Sequence, residues 1–182
     1  MSMESNLTNQ DGLYIKQYVD QKICIPFQQL QPNIEEQFIH YAKKHIMNKC
    51  SKEGYISNHA FQVVSYSAGK TNSHHVEYNV VFEFHVCHPY EGMILRCKIQ
   101  SVTKIGIKGI LSHDDKENPI VVFASHLHNP SIFDDVESSN NDDTEIPSAS
   151  GFTEGQIIQI KVIGHRFEIN DPSIYVLAEI IN

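Results

Sequence analysis

The strictest alternation of apolar and polar residues in the chain falls at residues 76–87. Phe82 and Phe84 lie on one side of this alternation, and Glu83 lies on the other. Successive side chains of a β-strand point to opposite faces, so the pattern predicts a strand with one face in a core. The other face is expected to meet solvent or a partner.

Apolar residues recur at helical spacing between residues 33 and 49. Asn33 stands at a typical N-cap position, Glu36 follows three residues later, and Pro32 lies just before it. This arrangement predicts a helix over residues 33–49 that packs one face on a sheet. Around the helix, β-prone residues and glycine signals predict strands at residues 13–26 and 55–66 and a loop at residues 67–72.

The pattern restarts after a junction at residues 88–92 that contains Pro and Gly, and no comparably strong helix signal follows. Arg96 and Lys98 alternate with apolar residues there, which predicts a strand with a basic outer face. Five short strands with glycine bends favour a small closed barrel. The predicted strands cover residues 93–100, 105–110, 119–125, 156–163 and 174–181, with a turn at residues 114–118.

These patterns together predict an α+β protein with two domains. Residues 1–88 are expected to form an antiparallel sheet with one helix, and residues 89–182 a small closed β-barrel. Residues 134–151 within the second domain are acidic, rich in Ser and Asn, and poor in apolar residues. Such a segment buries little apolar surface, so a mobile insertion is predicted there.

Charge and cysteine content narrow the class of protein. The 182 residues carry a formal net charge of −8, which argues against a general nucleic-acid binder, but six acids fall at residues 134–145 and a local basic face remains open. The four cysteines form no C-x-x-C pair, so we expect reduced, buried thiols. No apolar run approaches the roughly 18 residues of a membrane span, and no signal-peptide pattern is visible, so an intracellular protein is expected.

Motifs for catalysis and metal binding are weak. The chain lacks a G-x-S-x-G motif, and its eleven histidines do not show the paired spacing of structural zinc sites. The densest histidine groups lie at residues 74–75, 85–88 and 126–128. His85 and Cys87 would share a strand face, which leaves a two-ligand surface site open. The sequence predicts no catalytic residue, no cofactor and no metal.

Several segments keep the order and spacing of a known family. They are residues 89–93 (Pro-Tyr-Glu-Gly-Met) with 102–107 (Val-Thr-Lys-Ile-Gly-Ile), residues 122–131 (Val-Phe-Ala-Ser-His-Leu-His-Asn-Pro-Ser), and residues 160–166 (Ile-Lys-Val-Ile-Gly-His-Arg) with 170–171 (Asn-Asp). They resemble the RNA-binding OB domain of the larger stalk subunit of multisubunit DNA-directed RNA polymerases. That protein is the seventh-largest subunit of the eukaryotic enzyme and has an archaeal equivalent. The first half is similar in element order, with Lys-Glu-Gly-Tyr at residues 52–55.

Two features depart from the family. Its glycine-rich tip loop is reduced to Ser-Ala-Gly-Lys at residues 67–70, and the aromatic run expected after Lys104 is aliphatic, with Ile107 and Ile110. The second departure weakens the expectation that bases stack on that strand. Together with the isoleucine- and asparagine-rich composition, these departures suit a divergent version encoded by a large DNA virus.

The resemblance implies that the amino-terminal "tip" domain plugs into the polymerase core, that the barrel lies near exiting RNA, and that a smaller helical stalk subunit forms a heterodimer with this chain. Because strand ends and loops reach outward, the residues expected to dock on the core are Gly54, Tyr55, Ile56, Gly69 and Lys70. The residues expected to contact RNA phosphates are Arg96, Lys98, Lys104, Lys108, Lys161, His165 and Arg166. The same cations are equally expected of a solvated strand face.

The sequence is therefore interpreted as a non-catalytic stalk subunit of a DNA-directed RNA polymerase that docks on the core enzyme and contacts nascent RNA. It would act at the site of transcription, in the nucleus, or in the virion and host cytoplasm for a viral enzyme. One alternative is a free-standing OB-fold factor that binds single-stranded nucleic acid. Another is a metal-assisted hydrolase.

Overall fold

The computed structural model describes residues 12–111, 119–130 and 151–181, except for the side chains of residues 59 and 60. The chain divides between His88 and Pro89 into two compact units, which we call the sheet unit (Asp11–His88) and the barrel unit (Pro89–Asn182). The predicted turn at 114–118 and the predicted insertion at 134–151, apart from Gly151, lie outside the described residues. No described helix is both long and apolar enough to cross a membrane.

The sheet unit combines an antiparallel sheet with one packed helix. Its elements are β1 (Tyr14–Pro26), a 3-10 turn (Phe27–Gln29), α1 (Ile34–His45), β2 (Lys49–Cys50), β3 (Tyr55–Tyr66), β4 (Lys70–Asn72) and β5 (His75–Cys87). The strand order is β1-β5-β3-β2, with β4 also paired to β5. The predicted strands at 13–26, 55–66 and 76–87 are therefore confirmed.

The central strand β5 decides where the core of this unit lies. Val80, Phe82 and Phe84 are buried in one cluster with Phe38 and Ala42 of α1. Each fully buried Phe contributes about 1.5–3 kcal/mol relative to leaving it exposed. The intervening residues of β5 are mostly only partly buried, so the predicted two-faced strand is confirmed.

The helix α1 is shorter than the predicted helix at residues 33–49. It ends at His45, Asn48 adopts a left-handed backbone conformation (φ 59°), and Lys49–Cys50 pair with β3. Asn tolerates this conformation better than most residues, so the chain reverses there instead of continuing the helix. Asn33 is the N-cap residue, but its side chain forms no capping hydrogen bond.

The predicted loop at residues 67–72 is wrong in its second half, because Lys70–Asn72 form β4 and pair with the start of β5. A Cβ at Gly69 would collide with the Val76 and Tyr78 side chains, so the absence of a side chain at residue 69 lets the chain pass close to β5. All of β4 is exposed. Because none of its residues is apolar, β4 shows no alternation of apolar and polar residues from which a strand could be predicted.

The barrel unit is a closed, OB-like barrel of five strands. They are β6 (Ile94–Thr103), β7 (Gly106–Leu111), β8 (Ile120–Ser125), β9 (Ile157–Arg166) and β10 (Ile174–Ile181). The barrel closes in the order β10-β8-β7-β6-β9. The β8–β10 pair is parallel and the other four pairs are antiparallel. The predicted barrel and its five strands are confirmed, with ends that differ by a few residues.

Alternate side chains of β6 point into the barrel and fill part of its inside. Leu95, Cys97 and Ile99 are buried, and the residues between them are exposed. Facing them on β7, a Cβ at Gly109 would collide with the Cys97 Sγ. The glycine therefore permits the close approach of β7 to β6. The glycine bend that the sequence predicts in this strand stays a prediction.

A buried asparagine links the chain after β8 to β10. Asn129 is 3% exposed. Its Nδ2 donates to the carbonyl oxygens of Ser125 (2.9 Å) and Ala178 (3.3 Å), and its Oδ1 accepts from the Ile180 N–H (2.7 Å). These bonds satisfy backbone groups of β10 beyond the end of its ladder with β8.

Candidate nucleic-acid interface

The cations predicted to contact RNA are all exposed on the barrel unit. They lie on three strands and one turn: Arg96 and Lys98 on β6, Lys104 in the β6–β7 turn, Lys108 on β7, and Lys161, His165 and Arg166 on β9. They are therefore spread over three adjacent strands of the five-stranded barrel. What distinguishes them is which neighbours each one has.

Two exposed aromatic rings lie between two of these cations. Phe123 on β8 and Tyr175 on β10 stack with ring centroids 6.3 Å apart and planes inclined by 26°, and they are 41% and 45% exposed. Lys108 lies directly opposite Phe123 on β7, and Arg166 lies directly opposite Tyr175 on β9. Residues directly opposite each other in a ladder share a face of the sheet. We call these four residues, Lys108, Phe123, Tyr175 and Arg166, the aromatic row.

The aromatic row offers both kinds of contact that a single-stranded nucleic acid uses. Bases stack on exposed rings at about 1–3 kcal/mol per base, and Lys and Arg bind the intervening phosphates. Because every base has a flat face, such a row binds many sequences. A duplex, whose bases are already stacked on one another, cannot use the rings in this way.

The β9 wall beside the row includes a glycine. Gly164 on β9 lies opposite Leu177 on β10, next to the pair formed by Arg166 and Tyr175. A Cβ built at Gly164 would meet no atom within 4 Å. Residue 164 therefore adds no side chain to the wall next to the pair formed by Arg166 and Tyr175.

A second group of cations lies on the β6–β9 ladder. Lys98 faces Ile157, Ile94 faces Lys161, and Arg96 lies between them on β6. Ile94 and Ile157 are 59% and 57% exposed. This patch combines charge with aliphatic surface, so it suits phosphate contacts but offers no ring for a base.

The excess of acids over bases in residues 89–182 comes from residues outside the described ranges. Residues 89–182 contain seven Lys and Arg against fourteen Asp and Glu, but the described residues of this unit contain six and five.

Arg166 pairs with Glu168 at 3.2 Å, and both side chains are mostly exposed. Such surface pairs contribute only about 0–1 kcal/mol, so a phosphate can compete for Arg166.

The residues expected to dock on the polymerase core differ in accessibility. Gly54, Tyr55 and Ile56 are buried within the sheet unit, whereas Gly69 and Lys70 are exposed. The expectation that all five project outward is wrong for the first three, because a Cβ at Gly54 would collide with a β5 carbonyl oxygen and the next two belong to the core. A docking role for these positions stays a prediction.

The histidine and cysteine groups weighed from the sequence are arranged differently from what was expected. Cys87 is buried, and burial raises the pKa of its thiol to about 12, so it does not form a surface site with His85. Cys24 is exposed, which corrects the expectation that all four cysteines are buried. Within the described ranges, three potential metal-ligand side chains come together in one place, at Cys24, His75 and Glu77.

The sequence prediction missed Phe123 and Tyr175. Alternation does give each an outward position, because the residues on either side are buried. The sequence does not show that β8 and β10 are parallel neighbours, which brings the two rings together.

The chain matches no protein-family model and no curated protein sequence. Support for a function therefore comes from the OB-like barrel and the aromatic row.

Proposed function

We propose that this chain is a non-catalytic stalk subunit of a DNA-directed RNA polymerase, and that its barrel contacts nascent RNA through the aromatic row. The observation that carries the proposal is the pair Phe123 and Tyr175, stacked and exposed between Lys108 and Arg166 on an OB-like barrel. Barrels of this kind bind single strands by stacking and phosphate contact.

In this proposal the row holds a short stretch of RNA as it leaves the enzyme. Bases stack on Phe123 and Tyr175, while Lys108 and Arg166 bind the phosphates on either side. The cations outside the row, Arg96, Lys98, Lys104, Lys161 and His165, add contacts that depend on charge alone. Since the unit as a whole is acidic, the affinity is expected to be weak and to fall with salt. Such an affinity guides a moving strand without retaining it.

The sheet unit is assigned to assembly. It would dock on the polymerase core subunits, and a smaller helical subunit would complete the stalk as a heterodimer partner. Support for this part comes from the resemblance in element order and from the division of the chain into two units at residues 88 and 89. The chain would then act wherever its polymerase transcribes.

Affinity purification tests the assembly. The tagged full-length chain is expressed in its native source, purified at moderate salt and subjected to mass spectrometry. Polymerase core subunits and one smaller helical protein are expected at near-stoichiometric amounts. Recovery of RNA but no core subunit would reject the stalk role. The remaining proposal would be a free-standing factor that binds single-stranded nucleic acid. Such a factor needs only the barrel unit, because the aromatic row lies entirely within it.

Crosslinking tests the RNA contact. Lys98→Glu combined with Arg166→Glu should lower ultraviolet crosslinking to nascent RNA while sparing co-purification with core subunits. Both side chains are exposed, so the fold should be unaffected. Unchanged crosslinking would remove the barrel from the path of the RNA.

A further inference from the structure

Three side chains with donor atoms of the kind that bind metals meet on the outer face of the sheet unit. Cys24 of β1 lies directly opposite Glu77 of β5, and His75 precedes Glu77 by two residues, so the three share one face of the sheet. One donor atom of each side chain lies within 4.8 Å of the other two. Ile23 and Ile25, on either side of Cys24, are buried in the core on the opposite face.

The separation of two of these donors already suits a small ion. His75 Nε2 lies 3.2 Å from Glu77 Oε1. A tetrahedral ion with bonds of about 2.0–2.2 Å to nitrogen and oxygen holds two such ligand atoms roughly 3.3–3.5 Å apart. An ion between them therefore requires little movement of either side chain, and the Cys24 thiolate approaches from the neighbouring strand β1 as the third ligand.

We propose that Cys24, His75 and Glu77 bind a divalent cation of the zinc type on the surface of the sheet unit. A thiolate and an imidazole select borderline-soft ions such as Zn²⁺, whereas Mg²⁺ and Ca²⁺ take oxygen ligands. Three protein ligands leave a fourth position for water or for a donor from a bound partner. The thiolate and the carboxylate together balance the two charges of the ion.

Lys22 orients the carboxylate for this role. Its Nζ lies 2.7 Å from Glu77 Oε2, while Oε1 faces His75. Carboxylates that bind metals are commonly held by such a hydrogen bond, which fixes the free oxygen in place. Lys22 can therefore remain on Oε2 while the ion binds Oε1.

Cys24 is distinguishable from the other cysteines in solution. Cys50, Cys87 and Cys97 are buried, and burial raises the pKa of the Cys87 and Cys97 thiols to about 12. Buried thiols of this kind are poor metal ligands and react slowly. A thiolate–metal signal from the folded protein is therefore diagnostic of Cys24.

The proposal is tested by titrating the full-length, reduced, metal-free protein with Co²⁺, whose bond to a thiolate gives a near-ultraviolet charge-transfer absorption. One equivalent should bind, and Zn²⁺ should displace it. Cys24→Ser should abolish the absorption. His75→Gln and Glu77→Gln should each weaken binding by at least the roughly tenfold that is typical of losing a ligand's supporting hydrogen bond.

Glu83 provides the matched control. It lies on the same strand and face as Glu77 and is bonded to Lys16 at 3.1 Å, but the residue opposite it is Tyr18 instead of a cysteine. Glu83→Gln should bind Co²⁺ like the unaltered protein. Absence of the thiolate absorption in the unaltered protein, or equal affinity in Glu77→Gln, would overturn the proposal.

A second measurement needs no variant. Saturating Zn²⁺ should slow the reaction of Cys24 with iodoacetamide several-fold, as read by mass spectrometry of the Cys24 peptide. The same rate with and without Zn²⁺ would contradict the site, whatever the outcome for the RNA contact.

Discussion

The outer face of the sheet unit and the outer wall of the barrel use the same residue types in different ways. On the sheet, Lys16 Nζ and Tyr18 Oη donate to the Glu83 carboxylate at 3.1 and 3.0 Å. On the barrel, Lys108 and Tyr175 have the ring of Phe123 as their neighbour instead. A lysine and a tyrosine thus satisfy a carboxylate in one region and flank an exposed apolar ring in the other.

Because of this difference, the net charge of a unit is a poor guide to where a polyanion such as RNA could bind. In the sheet unit, Lys16 and Lys22 each pair with a carboxylate of β5. In the barrel unit, Lys108 forms no ion pair with another described residue, so a phosphate can bind it without displacing a carboxylate. This difference supports the proposed RNA contact on the barrel, although residues 89–182 carry more acids than bases.

The largest effect is expected from removing the rings. Phe123→Ala with Tyr175→Ala should cost about 1–3 kcal/mol for each base that loses its stacking partner, and so at least about tenfold in Kd for single-stranded RNA, measured by fluorescence anisotropy. Ile94→Ala with Ile157→Ala removes two exposed aliphatic side chains from the same barrel and should leave Kd nearly unchanged. An equal loss of RNA affinity in the two double variants would show that the two aromatic rings do not stack with bases.

The next effect concerns the support of the barrel wall. Asn129→Ala should lower the free energy of unfolding by about 1–3 kcal/mol, because it leaves the buried Ile180 N–H without its partner. Asn79→Ala, at an exposed position of β5, should stay within about 0.5 kcal/mol. Urea unfolding measures both, and similar values for the two variants would show that the buried asparagine does not stabilise the barrel.

A smaller effect is expected from removing one cation of the row. Lys108→Gln should weaken RNA binding a few-fold and reduce the slope of log K against log salt by about 0.7, the value for one phosphate contact on a single strand. Lys16→Gln in the sheet unit should change neither quantity, since Lys16 is paired with Glu83. Equal slopes in Lys108→Gln and the unaltered protein would place the phosphates elsewhere.

The smallest effect is the pH dependence of the sheet. Hydrogen bonds from Lys16 on β1, and then from Tyr18, hold the pKa of Glu83 below its usual value of 4.5, and Gln62 on β3 acts in the same direction. A carboxylate with a lowered folded-state pKa stabilises the fold above its unfolded pKa and loses that contribution as pH falls through the folded value. Stability should therefore decline slightly below about pH 4.5, and Glu83→Gln should flatten this decline in urea unfolding. An unchanged profile in the variant would show that the pair contributes nothing.

The sequence by itself determined the longer strands, the presence of the helix and the buried faces of the most regular strands. Strict alternation at residues 76–87 and on β6 identified strands with one buried side, and five short strands with glycine bends indicated the barrel. These features are local, because a two-residue period fixes the face of every side chain in a strand. The exposed positions of Arg96 and Lys98 followed from the same rule.

Only the tertiary structure decided which of these faces meet. Phe123 approaches Tyr175 because β8 and β10 are parallel neighbours, and Cys24 approaches His75 because β1 pairs with β5 in one particular register. A shift of that register by one residue would turn Cys24 to the other face. Pairing of this kind depends on the packing of the whole unit, so no local pattern in the chain contains it. The burial of residues 54–56 has the same origin. The sequence suggests an exposed strand end there, but Tyr55 and Ile56 pair with the buried end of β5.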